Sequence, residues 1–465
     1  MTEQIKRVLS DSKAARWTAL LIVAFTMFAG YYLADVMSPL EQMLEEQLHW
    51  SAADYGWYTG AYGWFNVFLF FLIFGGIILD KMGVRFTGLM SAIVMVVGAG
   101  IKYWAISSNT FTGEWTIIWT FPAQVWMAAF GYAIFGVGVE VAGITVSKVI
   151  VKWFTGHELA LAMGLQLAIA RLGTALALST SVPIARAFGH VSSPILICLL
   201  MLCIGLLAFF VYTFNDKRLE KSIADAKIDS PQEDSSDEEF KIKDIGFIIK
   251  NKGWWYISIL CALFYSAVFP FLKYATALMI NKFGVNENLA GIIPGLLPFG
   301  TILLTPVFGS MYDKKGKGAS IMIFGSLLII FVHLLFAVPI LNHYIVAIVL
   351  MIILGIGFSL VPSAMWPSVP KIIPAKQLGS AYALIFYVQN IVALMSVPAL
   401  IGWVLDKYCI VGTTLVEGKE VANYNYTIPM LMFMAFGVLG LIFAFLLKIE
   451  DKKKGYGLEL PNIKQ

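Results

Sequence analysis

The sequence predicts an all-α polytopic membrane protein, with twelve transmembrane helices in two pseudo-symmetric six-helix bundles, and three observations carry that expectation. The chain is 59% hydrophobic and only 13% charged, with a mean hydropathy of +0.79. That charged share is about half of what soluble domains use. Apolar runs of about 20 residues, enough to cross a hydrocarbon core of about 30 Å, recur along its whole length. A polar break at mid-chain and a loop signature present once on either side of it divide the sequence in two.

The spans are expected near 17–37, 57–79, 87–107, 121–147, 158–185, 193–214, 254–280, 288–311, 319–341, 344–368, 378–404 and 428–448. The first is a full-length apolar run without a small-residue cleavage site, so it reads as an uncleaved anchor. The second and third flank GIILDKMGVRF; the fourth and fifth are joined by the polar WFTGHEL. After the sixth comes 215–252, rich in charge and poor in aromatics until its end. Such a segment has no face to bury, and it is expected to be a disordered linker with one interfacial turn at IKDIGFII. The seventh carries Pro270, which should kink it just before Lys273. The eighth and ninth flank GSMYDKKGKG, and the last three complete a second bundle. The domains are therefore 1–214, a linker over 215–252, and 253–465.

Most of the 33 basic residues share a side with the N-terminus, while the opposite side holds Arg186, Lys282, Lys407 and Lys419. The positive-inside rule then places both termini in the cytoplasm. The net charge of +4 is spread over short loops and forms no nucleic-acid-binding face. Cys198, Cys203, Cys261 and Cys409 have neither metal-ligand spacing nor a disulfide framework. No phosphate-binding loop of the G-x-x-x-x-G-K-[ST] type is present, and GHELA lacks the second histidine of a zinc-hydrolase motif, so neither an ATP-driven pump nor an enzyme is expected, and no cofactor. His49, His157, His190 and His343 fall in loops, and His333 falls in a ninth span expected to pack peripherally.

Two charged residues stand alone in apolar helices: Glu140 in AIFGVGVEVAGITV and Arg171 in LQLAIARLGTALAL. Their midpoint falls at Thr155-Gly156. A hairpin turning there brings both to one depth, about 23 Å from the turn, near the bilayer midplane. Intramembrane charges of this kind mark substrate or ion sites, and a carboxylate level with a guanidinium suits a ligand with one positive and one negative end. The competing reading is a structural salt bridge, which desolvation makes a weak source of stability. Arg suits a carboxylate through two parallel hydrogen bonds, and Arg171 at the level of Glu140 should keep that carboxylate ionised. Gln166, Ser147, Gln389 and Asn390 are further polar groups on these helices. Tyr31, Tyr32, Trp57, Tyr58, Trp64, Trp366 and Tyr387 are candidate pocket walls, with interface belts and core packing as the alternative.

Sliding the first span onto the seventh aligns Trp17 with Trp255 and brings Asp35 onto Lys273. Opposite charges at equal depth in pseudo-symmetric spans predict a gate that pairs when the mouth on that side closes. Lys102, near the end of the third span, is expected to snorkel to water.

The repeated loop carries Gly76, Asp80, Lys81, Gly83 and Arg85 in the first half, and Gly309, Asp313, Lys314, Gly316 and Lys317 in the second. Glycine permits close helix approach and a tight turn, and an Asp there can lock one conformation. This Gly-x-x-x-Asp-Arg/Lys-x-Gly pattern resembles the major facilitator superfamily over essentially the whole chain, which implies alternating access by rocking of two bundles around a central site. The strings WFTGHELALAMGLQLAIARLGTAL, AMWPSVPKIIPAKQLGSAYALIFYVQNIVAL and SAVFPFLKYATALMINKFG resemble the major facilitator superfamily domain-containing protein 1 group of lysosomal dipeptide uniporters. That resemblance implies dipeptide substrates, with Glu140 meeting the amino terminus and Arg171 the carboxylate. Proton-linked transport of another zwitterion or organic anion, and a non-transporting receptor, are the other readings. The N-terminal tail lacks an acidic dileucine sorting signal, so the expected location is a bacterial inner membrane, with the protein acting as a monomer.

Overall fold

The computed structural model describes residues 9–154, 158–226, 242–374, 377–416 and 419–462. Eleven of its helices are long and apolar enough to cross a membrane, and a bent pair makes the twelfth. The first span, Lys13–Asp35, is opened by the Ser12 hydroxyl accepting from the Ala15 amide; it is about 34 Å long at 1.5 Å per residue, enough to cross by itself. A turn at Ser38–Leu40 and a short helix, Glu41–Leu48, follow on the face away from the termini, here called the far face.

The second span is broken: Ala52–Phe68 and Phe71–Leu79 bend by 56° around Phe70, whose φ is 55°. Its far-face part opens with a reciprocal Ser51–Asp54 capping box. Gly56 and Gly60 let it lie against the eleventh span, since a Cβ at Gly56 would stand 2.7 Å from the Pro398 carbonyl oxygen and one at Gly60 2.5 Å from that of Met395. The chain then runs into the third span through Gly83, at φ 75°. Its counterpart Gly316 has φ 69°. Both signature turns thus need the left-handed backbone that glycine supplies. The close approach expected at Gly76 and Gly309 does not occur, because each faces open space.

The fourth and fifth spans, Ala123–Phe154 and Leu159–Phe188, flank the turn expected at Thr155-Gly156, which lies outside the described residues. The sixth corrects the linker expectation, because its helix, Ser193–Ala226, runs well past 214. Its extension is held by charge: Arg85 pairs with Glu220 at 2.7 Å, and Lys152 with Asp216 and Glu220 at 2.8 Å each. The interfacial turn appears as a helix, Ile242–Ile248.

Pro270 breaks the seventh span into Lys252–Ser266 and Phe269–Phe283. Proline lacks the donor and crowds the carbonyl of residue i−4, here Ser266. His333 Nε2 donates to the Ala267 carbonyl at the break, at 2.8 Å, from a buried place between Phe271 and Phe433. The ninth span is therefore not peripheral at this residue. The eighth to tenth spans are Ile292–Lys315, Gly318–Ala337 and Tyr344–Ile372. The eleventh, Leu378–Tyr408, contains a π-helical stretch at Asn390–Ser396, and the twelfth is Thr427–Lys454. Two hairpins on the far face, Glu114–Thr116 with Thr120–Pro122 and Ile410–Val416 with Lys419–Tyr424, were not foreseen.

Contacts between the halves concentrate toward the far face. Asp406 accepts from the Ala52 and Ala53 amides at 3.0 Å each, Glu45 accepts from the Ala422 amide at 2.6 Å, and Arg186 pairs with Glu287. The far mouth is closed. Toward the terminal face the ion pairs stay within one half, as in the Arg85 and Lys152 network.

Candidate functional site

A cavity of about 320 Å³ lies between the halves, lined by residues of both. Glu140, Arg171, Trp366, Gln389 and Asn390 all face it, as do Asp35 and Lys273 at its far end. Glu140 and Arg171 are half-buried, as groups on a cavity wall should be.

The two charges do not meet as a salt bridge among the described residues. Glu140 accepts from the Tyr62 hydroxyl at 2.9 Å. The Arg171 guanidinium instead sits 5.9, 5.8 and 5.6 Å from the ring centres of Tyr31, Phe269 and Phe358. An aromatic box stabilises a cation without neutralising it and leaves the donor fork available. The arginine is turned toward the second bundle, where the helix break at Pro270 presents Phe269, so the competing reading of a structural salt bridge between the two charges is not met among the described residues.

Gln389 is buried and takes the Cys261 thiol at 3.8 Å, while Asn390 donates to the Phe386 carbonyl at 2.9 Å and keeps its buried Oδ1 without a hydrogen-bond partner. The π-helical widening starts at Asn390, and such bulges often mark functional positions. Trp366 stacks on Phe386, with ring centres 5.0 Å apart. Tyr31 lines the cavity as anticipated. Tyr58 and Gln166 are buried but lie off the lining. Tyr58 is consumed by ring contacts with Trp50, Tyr55 and Tyr132. Trp57 and Trp64 belong to an aromatic cluster with Trp126, and Ser147 is exposed. Tyr32 bonds to Thr180, and Tyr387 bridges the halves through the Val67 carbonyl at 3.2 Å.

At the far end, Lys273 Nζ donates to Asp35 Oδ1 at 2.6 Å and to the Ala34 carbonyl at 2.8 Å, and Thr174 donates to Asp35 Oδ2 at 2.8 Å. The ammonium thus meets both a carboxylate and a carbonyl at a helix C-terminus, a doubly favourable position. Lys102 does not snorkel. It is fully buried, with its ammonium 4.8 Å from the Tyr132 ring centre and 3.4 Å from the Leu33 carbonyl oxygen.

The signature loops differ between the halves. The Asp80 side chain lies outside the described residues, Lys81 and Lys314 are exposed, and Arg85 joins the network on the sixth helix. Asp313 accepts from the Asn462 side chain at 2.7 Å, and Gly318 and Lys317 donate their amides to the carbonyls of Leu458 and Glu459 at 2.9 Å each. The second loop is strapped by the C-terminal segment.

Tyr62, Phe269 and Phe358 were missed in the sequence. Tyr55, Tyr58 and Tyr62 recur at helical spacing along one face of the second span, a signal that could have found Tyr62. Phe358 sits in a continuous apolar run and had no signal.

A broken seventh helix, charges on a central cavity and one closed mouth define a secondary transporter of repeat architecture. The Major Facilitator Superfamily model matches residues 20–397, and the chain belongs to that family; it is a multi-pass membrane transporter, not an enzyme. It is similar to the lysosomal dipeptide transporter MFSD1 of Danio rerio, 27% identical over 405 residues covering 84% of this chain and 81% of the relative. The human protein of the same name is 26% identical over 404 residues, covering 84% and 80%. Among solved structures, a bacterial homolog of the human lysosomal transporter Spinster, inward-facing and occupied, superposes with a TM-score of 0.67 at 12% identity over 95% of this chain and 98% of the other. The nucleoside transporter NupG does so with a TM-score of 0.63 at 14% identity over 93% and 99%. Those two likenesses concern the fold.

Proposed function

We propose that the protein carries dipeptides across a membrane by alternating access, gripping the substrate's ammonium at Glu140 and its carboxylate at Arg171. The observation that carries this reading is the separation of the two charges on one cavity wall. A fixed ion pair would neutralise itself, whereas a carboxylate held by one tyrosine and a guanidinium held, among the described residues, by aromatic rings leave both charges free for the two ends of a zwitterion. The cavity volume of about 320 Å³ fits a small ligand. Similarity to the dipeptide transporters named MFSD1 supports the substrate class.

In this reading the terminal face is cytoplasmic, the far face is the outside, and the structure corresponds to an inward-facing state whose outer mouth is latched by Asp35–Lys273. Arg85, Asp80, Lys81, Asp313 and Lys314 belong to the inner gate. Transport is facilitative. A proton-coupled cycle is the second reading, and it draws on the same separation: with Tyr62 rather than Arg171 beside it, Glu140 is placed to exchange a proton for the substrate's ammonium. The protein acts as a monomer in a bacterial inner membrane.

The test is thermal stabilisation of purified protein across a panel of dipeptides, free amino acids, and dipeptides blocked at either end. Stabilisation by free dipeptides and loss of it on blocking either terminus is expected. Equal stabilisation by single amino acids or dicarboxylates would overturn the substrate assignment.

A further inference from the structure

The third span hides a cation that takes no part in the substrate grip or in the Asp35–Lys273 pair. Lys102 is 0% exposed. Its ammonium has three donors to satisfy, yet among the described residues it holds one long bond to the Leu33 carbonyl, 3.4 Å, and lies 4.8 and 5.4 Å from the ring centres of Tyr132 and Tyr58. A buried charge so thinly served is costly unless it acquires a counter-ion elsewhere in the cycle.

The counter-ion stands on the same helix turn. Leu33, Ala34 and Asp35 are consecutive at the end of the first span; Lys102 holds the first carbonyl, and Lys273 holds the second together with the Asp35 carboxylate. Tyr132, whose ring faces Lys102, donates its hydroxyl to the Ala34 carbonyl at 2.6 Å, between the two ammonium groups. Two cations therefore converge on one helix end, Lys273 on the Asp35 carboxylate itself and Lys102 on the Leu33 carbonyl two residues before it. Only one of them leaves when the halves separate: Lys273 belongs to the second bundle, while Lys102, Asp35 and Thr174 all belong to the first. Opening the far mouth withdraws one partner of Asp35 and leaves the other in place.

We propose that Lys102 is the alternate partner of Asp35, a positioning residue that takes the carboxylate when Lys273 withdraws, so that the far mouth opens by exchange of cations rather than by stranding a buried charge. This rests on reading Asp35–Lys273 as the gate. Closing then brings a second ammonium up to an occupied carboxylate, and the repulsion keeps the latch reversible; opening repays Lys102 with the bond it lacks.

The experiment is a double electron–electron resonance measurement of the far mouth, with spin labels on cysteines placed at the exposed Asn109 of the first half and Asn342 of the second. Lys273→Met should raise the open-to-closed ratio, which verifies the gate. With Lys273 in place, Lys102→Met alone should lower the ratio about tenfold, because only the open state then leaves the Asp35 carboxylate without a cation. Lys102→Arg should preserve the ratio. In an Asp35→Asn background, Lys102→Met should have no such effect, since a neutral amide needs no cation; a merely structural lysine would act the same in both backgrounds. A ratio insensitive to Lys102→Met, or equally sensitive with Asp35→Asn, overturns the exchange while leaving the gate standing. A ratio unmoved by Lys273→Met overturns both. Methionine fills the same slot against two aromatic rings, and melting curves identify any variant that fails to fold.

Discussion

Replacing Arg171 separates a substrate grip from a structural salt bridge, because the two roles predict opposite patterns of stability and binding. In the structure the guanidinium has three ring faces 5.6–5.9 Å from their centres and no carboxylate among the described residues. Such ring contacts contribute about 0.5–1 kcal/mol each where partly exposed, and losing them is offset by no longer housing an unpaired charge. Arg171→Met should therefore change the stability of the ligand-free protein by about 1 kcal/mol or less. Breaking a buried ion pair would cost about 3–5 kcal/mol. Binding should respond the other way. A carboxylate on the guanidinium fork makes two charge-assisted hydrogen bonds at about 1.5–3 kcal/mol each, and allowing for non-additivity the loss is about 3–4 kcal/mol, or several hundredfold in Kd. Arg171→Lys keeps the charge but not the fork and should lose about tenfold. Calorimetric titration of a neutral dipeptide, run beside melting curves without ligand, reads both quantities. Dipeptide binding within threefold of wild type in Arg171→Met, or a ligand-free destabilisation of several kcal/mol, would refute the grip.

The remaining expectations concern the gate, the coupling and a turn. The side chains of Lys273 and Asp35 are only 14% and 17% exposed, so Lys273→Met should cost the closed mouth about 2 kcal/mol, between the values for surface and buried pairs, and raise labelling of a far-mouth cysteine about thirtyfold; the swap Asp35→Lys with Lys273→Asp should restore part of the closure. Unchanged labelling in both would reduce the pair to helix-end charges. In proteoliposomes holding a pH-sensitive dye, neutral dipeptide should follow its own gradient without a lumenal pH change; acidification that tracks uptake and vanishes in Glu140→Gln would establish proton coupling instead. Gly316→Ala should destabilise by about 1–3 kcal/mol, since φ is 69° and the new Cβ would stand 2.4 Å from the Glu459 carbonyl oxygen. Limited proteolysis should then release the C-terminal strap faster, and an unchanged rate would mean that the strap is not anchored there.

The sequence by itself determined the membrane class, the number of spans and the family, because burial in lipid demands long apolar helices and leaves a periodic, composition-level record. Lone charges were equally legible: Glu140, Arg171, Asp35 and Lys273 stand out since each is expensive where it lies, and all four do face the cavity. Only the tertiary structure decided what each charge touches. Arg171 turns to Phe269 and Phe358 of the other half rather than to Glu140, and Lys102 stays inside rather than reaching water, because both outcomes depend on how two bundles dock. The break in the second span, the helical extension of the sixth through its ion pairs and the strap over the second signature loop were likewise set by packing, whereas the break in the seventh was already written in Pro270. Local periodicity records which face of a helix is apolar, but not which distant helix will meet it, nor at what angle.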